Sequence, residues 1–145
     1  MNESETYGPT DAELRSILGD AKTIAVVGLS SNPLRDSFEV AEWLQHKGYR
    51  IIPVNPRETE VLGETAYATL DEVPAAVQID VVDVFRRADK TPPIAEAAVR
   101  RGAKVLWLQD GIVSEEAARI AEEGGLTVIM GVCIKRTKRR LDREG

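Results

Sequence analysis

Cysteine and histidine each occur once in this 145-residue chain, as Cys133 and His46. A single thiol forms no internal disulfide, and no cysteine or histidine cluster has metal-ligand spacing, so structural zinc is not expected and a reduced, cytoplasmic setting is. Long apolar runs are missing as well. None approaches the length of a membrane span, and the opening residues MNESETYGPT are polar and acidic where a secretory signal is basic and then apolar. Neither secretion nor membrane insertion is expected. Basic charge is scarce over most of the chain: residues 135–145 hold six basic residues and two acids, a net of +4, so with the whole chain at −5 residues 1–134 carry −9. A body that acidic argues against nucleic acid as a partner.

With 43% hydrophobic and 30% charged residues, the chain has the composition of one compact domain with its own core. We read residues 1–145 as a single domain, with 1–9 flexible and 135–145 a basic C-terminal tail. Short β-branched runs recur at 23–28 (TIAVVG), 50–55 (RIIPVN), 79–85 (IDVVDVF), 104–109 (KVLWLQ) and 127–130 (TVIM). Continuous apolar runs of this length suit strands covered on both faces, as in a parallel sheet. Helical stretches lie between most of them. Thr10 and Glu13 have the spacing of a capping box, Asp36 with Glu39 is expected to cap a helix that Gly48 ends, Thr91-Pro92 opens another, and Ser114 starts one ending near Gly124. Between 56 and 79 we expect a sixth, edge strand at Thr65–Ala68 and a helix at Leu70–Ala76. The pattern predicts an α/β fold: a single Rossmann-like, doubly wound, mostly parallel sheet with helices on both faces. Its ligand belongs at the carboxyl ends of the strands, where strand order reverses.

The loop after the first run reads Gly28, Leu29, Ser30, Ser31, Asn32, Pro33. Gly28 stands at the expected turn, but serine and proline replace the second and third glycines of the dinucleotide fingerprint. The second run ends in Val54, Asn55, Pro56, Arg57, without the acid that binds an NAD ribose. Arg35 and Arg57 favour a ligand with extra phosphate charge, which leaves an NADP-dependent oxidoreductase as an alternative.

Six segments taken together are more specific: VVGLSSNPLRDS, GYRIIPVNP, LGETAYATLDEVP, IDVVDVFRR, VLWLQDGI and VIMGVCIK, in order over about residues 20–141. They resemble the CoA-binding domain family, stand-alone proteins similar to the CoA-binding domain of the succinyl-CoA synthetase α subunit. The resemblance implies a cleft for coenzyme A or an acyl-CoA. In it the loop Gly28 to Ser37, with Leu29 and Pro33, holds phosphates through backbone amides, Ser30 and Arg35. Pro53, Val54, Asn55 and Pro56 line the adenosine side, and Phe85 and Arg86 meet the nucleotide or pantetheine. Gly131 and Val132 depart from the family, whose members commonly carry a polar or acidic residue and then arginine before this cysteine.

No catalytic residue and no metal ligand is expected. His46 falls at a helix end away from the cleft, Cys133 reads as a buried thiol, and Asp80 and Asp83 lie three apart on a strand and so face opposite ways. Trp107 is expected in sheet packing, and Gln109 and Asp110 near the cleft. A non-catalytic CoA-binding module is the first reading. The others are the NADP enzyme and a protein that docks an unknown protein partner through its basic tail.

Overall fold

The computed structural model describes residues 8–145, so of the expected flexible start only Gly8 and Pro9 are among the described residues. In chain order the elements are α1 (Asp11–Asp20), β1 (Thr23–Val27), α2 (Asp36–His46), β2 (Arg50–Val54), β3 (Glu60–Val61), β4 (Glu64–Thr65), β5 (Val81–Val84), α3 (Thr91–Arg100), β6 (Val105–Asp110), α4 (Glu115–Glu123), β7 (Thr127–Gly131) and α5 (Ile134–Glu144). Strands β2-β1-β5-β6-β7 form, in that order, one parallel sheet.

The apolar runs make central strands because both faces are covered. On one face Ile24, Val26, Val81 and Trp107 pack with Leu14 of α1, Leu44 of α2 and Ile134 and Leu141 of α5. On the other, Ala25, Val82, Val84 and Leu106 pack with alanines of α3 and α4, among them Ala95 and Ala117. Pro53 is tolerated because β2 is the sheet's edge: its carbonyl points outward to accept the Tyr67 amide at 3.0 Å, so its own missing N–H would also have pointed outward.

Most helix starts follow the sequence. The Thr10–Glu13 capping box is complete, and the Ala117 amide donates to Ser114 Oγ at 3.1 Å. Four expectations are corrected. Asp36 does not cap α2: the N-cap is Arg35, which makes no side-chain cap bond, and Asp36 is the first helical residue. The sixth sheet strand does not form. Leu62 and Gly63, with φ of 57° and 77°, make a two-residue turn that folds Glu64–Thr65 back onto Glu60–Val61, leaving only Tyr67 to bridge Val54. The helix expected at Leu70–Ala76 is a 3-10 turn over Leu70–Glu72. Pro74 stops it by lacking an amide hydrogen and holding Val73 extended at φ −63°, ψ 133°. Of residues 135–145, read as a tail, all but Gly145 belong to α5, which packs against α1 and α2 and buries Ile134 and Leu141.

Candidate functional site

From β1 the chain passes through α2 to β2 on one side, then returns to β5 on the other side of β1. Strand order therefore reverses between β1 and β5, and a crevice opens beyond their carboxyl ends. Gly28 stands there at φ 88°. A Cβ on it would lie 2.6 Å from the Phe85 carbonyl oxygen and 3.2 Å from Arg86 Cδ, so only glycine lets the first loop lie against the end of β5.

The first loop is locked by its own polar groups. The Ser30 amide donates to Ser37 Oγ (3.0 Å), the Asn32 amide to Ser30 Oγ (3.0 Å), and the Ser31 amide to Glu58 Oε2 (2.8 Å). Asn32 to Arg35 is a β-turn. The Arg35 amide donates to the Asn32 carbonyl at 3.0 Å, and the Leu34 amide to Asn32 Oδ1 at 2.9 Å. Pro33 occupies the second position of that turn, where its fixed φ is an advantage, and this explains proline in place of glycine. These bonds consume most of the loop's amides. The Asp36 and Ser37 amides, in the first turn of α2, have no acceptor among the described residues and remain for an anion.

Asn55 joins the two loops at the site. Its Nδ2 donates to the Leu29 carbonyl at 3.0 Å and its Oδ1 accepts from the Arg57 amide at 2.9 Å. Leu29, Pro53 and Val54 are buried, so they offer a ligand backbone only, whereas Pro33, Arg35 and Pro56 are exposed on the rim.

Beside this loop lies a cleft of about 520 Å³. Asp36, Glu39 and Val40 of α2 form one wall, and Phe85 and Arg86, half-buried after β5, form the floor together with Gln109 at the end of β6. Cys133 and the start of α5, with Lys135, Arg136 and Arg139, form the other wall. Five cations, Arg87 included, thus face three carboxylates in a chain whose net charge is −5. Lys135 is paired with Glu39 and Arg136 with Asp110. The cations of α5 were left out of the expected site because the segment read as a solvated basic helix end. The available signal was their position in the first turns of a helix, where the macrodipole disfavours positive charge.

The residues weighed for chemistry do not assemble. His46 is exposed at the last position of the 11-residue α2, about 15 Å along the axis from the cleft at that helix's start. Cys133 lines the cleft but is only 5% exposed. Asp80 and Asp83 do not share a strand, since β5 begins at Val81. Asp80 Oδ2 accepts from the Lys22 and Thr23 amides at 2.9 and 3.0 Å, while Asp83 is sealed between Val26 and Trp107 in the register of the sheet. Burial pushes the Asp83 carboxyl well above its usual value, and neither of its oxygens has a hydrogen-bond partner. Trp107 is fully buried, as expected, with Nε1 donating to the Val132 carbonyl at 2.9 Å.

The sequence model of one family, described as CoA binding domain, matches residues 22–138. The chain belongs to the CoA-binding domain family. It is 47% identical over 127 residues to the uncharacterized protein YneT of Bacillus subtilis, covering 88% of this chain and 93% of that one. It is 31% identical over 121 residues to the α subunit of the ADP-forming acetate–CoA ligase II of Pyrococcus furiosus, covering 77% of this chain but 26% of the subunit. Among solved structures, a hypothetical protein from Pyrococcus horikoshii superposes with a TM-score of 0.91 at 39% identity, over 97% of this chain and 99% of that one. Members of the CoA-binding domain family thus include both stand-alone chains and parts of larger ligases. No helix among the described residues is long and apolar enough to cross a membrane.

Proposed function

We propose that this protein binds coenzyme A or an acyl-CoA in the cleft beyond β1, β5 and β6, as a binding module without catalysis of its own. The observation that carries the reading is the concentration of positive charge there. Five cations converge beside a preorganised loop at the strand-order reversal of a parallel sheet, in an otherwise acidic family member. The adenosine end lies beside Asn55 and the prolines flanking Val54. The phosphates lie against the first turn of α2, where the Asp36 and Ser37 amides, Arg35 and the helix dipole act together, within the field of the five cations that line the cleft. Pantetheine runs over Phe85 and Arg86.

The non-catalytic part rests on what faces the cleft. Its one nucleophile, Cys133, has no histidine within reach, two of the three acids lining it are tied to Lys135 and Arg136, and Asp83 is sealed from it. The reduced, cytoplasmic setting suggested by a single buried thiol belongs to the same proposal. Neither alternative draws support from the geometry. Ser30 and Pro33 build a loop longer than the tight dinucleotide turn, and in the basic segment Lys135, Arg136, Lys138 and Arg140 are paired within the chain.

Calorimetric titration with CoA, acetyl-CoA, NADP and NAD at matched salt tests this reading. Micromolar binding of the CoA species, about −8 kcal/mol, with both dinucleotides silent is the expected result. Binding of NADP alone would overturn it.

A further inference from the structure

The far end of the cleft holds more recognition chemistry than a neutral thiol needs. α5 opens with Lys135 and Arg136, follows them with Lys138 and Arg139, and has no acid in its first turn. Positive charge at a helix start opposes the macrodipole, so this arrangement is locally unfavourable and calls for an anion. Glu39 and Asp110 answer Lys135 and Arg136. Arg139 and, across the cleft, Arg86 have no ion-pair partner among the described residues.

Gln109 provides the independent observation. Its side chain lines the cleft yet is only 3% exposed. Its Oε1 accepts from the Ile134 amide at 3.1 Å, which settles which end of the amide is oxygen. Its Nε2 therefore faces the cleft, with two hydrogens and no acceptor among the described residues. Among the described residues only the Asp83 oxygens are buried without a partner, so Gln109 Nε2 reaches the open cleft, where an acceptor on a ligand can take its hydrogens.

The proposed placement of coenzyme A gives the polarity of the ligand. With adenosine beside β2 and phosphates beside β1, its other end reaches β6, three strand spacings or about 14 Å away. That end is where Gln109, Arg136 and Arg139 converge. We infer that the site selects acyl-CoA thioesters whose acyl chain ends in a carboxylate, accepted by Gln109 Nε2 and the guanidinium groups of Arg139 and Arg136. This rests on the CoA-binding reading and extends it to a ligand class. Asp110 now occupies Arg136, so the incoming carboxylate replaces one carboxylate by another at that guanidinium and adds the bonds from Arg139 and Gln109.

The test is calorimetry with two pairs of CoA thioesters matched in chain length, malonyl-CoA with propionyl-CoA and glutaryl-CoA with valeryl-CoA. At least one acidic member is expected to bind about tenfold or more tightly than its neutral partner, as one charge-assisted hydrogen bond implies. Arg139→Ala should bring that ratio toward one. Asp110→Asn, which frees Arg136, should widen it, a gain that misfolding cannot imitate. Equal or tighter binding of both neutral members, with CoA itself still bound, would overturn the inference and leave the CoA reading standing. Failure of CoA and every thioester to bind would remove both. An undiminished ratio in Arg139→Ala together with an unchanged one in Asp110→Asn would also refute it.

Discussion

Replacing Asp83 by asparagine should make the protein's stability less dependent on pH, with an effect that grows from acid to alkali. Asp83 is 0% exposed, and neither carboxyl oxygen has a partner. Burial raises its pKa well above the ordinary 3.8, so the folded state keeps a proton that the unfolded chain releases. Between those two values unfolding liberates one proton, and wild-type stability falls as pH rises, by about 1.4 kcal/mol per pH unit. The contribution is fully present below the unfolded value and lost on passing through the folded one. The carboxamide of the variant does not titrate, so the wild-type minus variant difference isolates this group from every other carboxylate. Urea unfolding of both proteins at pH 5, 6, 7 and 8 measures it. The asparagine variant should gain on the wild type at each step until the folded carboxyl ionises. Asp83→Leu, which also removes the unpaired polar atoms, should add roughly 1–3 kcal/mol to the gain if the core accepts the shape. Parallel stability curves for wild type and Asp83→Asn would refute the claim that burial holds this proton.

Three further outcomes follow from the geometry. Gly28→Ala places a methyl 2.6 Å from the Phe85 carbonyl at a φ of 88°; a cost of roughly 1–3 kcal/mol and weakened CoA binding are expected in thermal unfolding and calorimetry. Asn55→Ala removes two bonds that join the loops, and should lower stability by about 1–2 kcal/mol while reducing CoA affinity, both read by the same methods. Asn55→Asp keeps only the acceptor and should fall between wild type and the alanine variant. Truncation after Cys133 exposes the surfaces that Ile134 and Leu141 cover, at a cost of roughly 3–6 kcal/mol. A markedly lower unfolding midpoint is expected, whereas an unchanged one would show that α5 is dispensable.

Order and class of the main elements were legible because they depend on local pattern. Continuous β-branched runs, Thr10 and Ser114 at helix starts and Gly28 at the first turn each act within a few residues of themselves. The segment from Arg57 to Gln78 was read less well. There a two-residue turn at Leu62-Gly63 outcompeted pairing with the distant sheet edge, and Pro74 cut a short helix to a single 3-10 turn. Asn55 was picked out as a site position, but its amide is spent on Leu29 and Arg57, a use that only the approach of two loops reveals.

By itself the sequence determined the parallel α/β architecture, the family and the edge of the sheet where a ligand belongs, since hydrophobic period, turn residues and ordered motifs are properties of the chain in one dimension. Tertiary structure decided what faces that edge. It turned a basic tail into the wall of a cleft, buried Asp83 without a partner, and brought Gln109 to the start of α5, 25 residues later in the chain. Such contacts depend on where separate elements meet when their apolar faces pack, and nothing within either element specifies them.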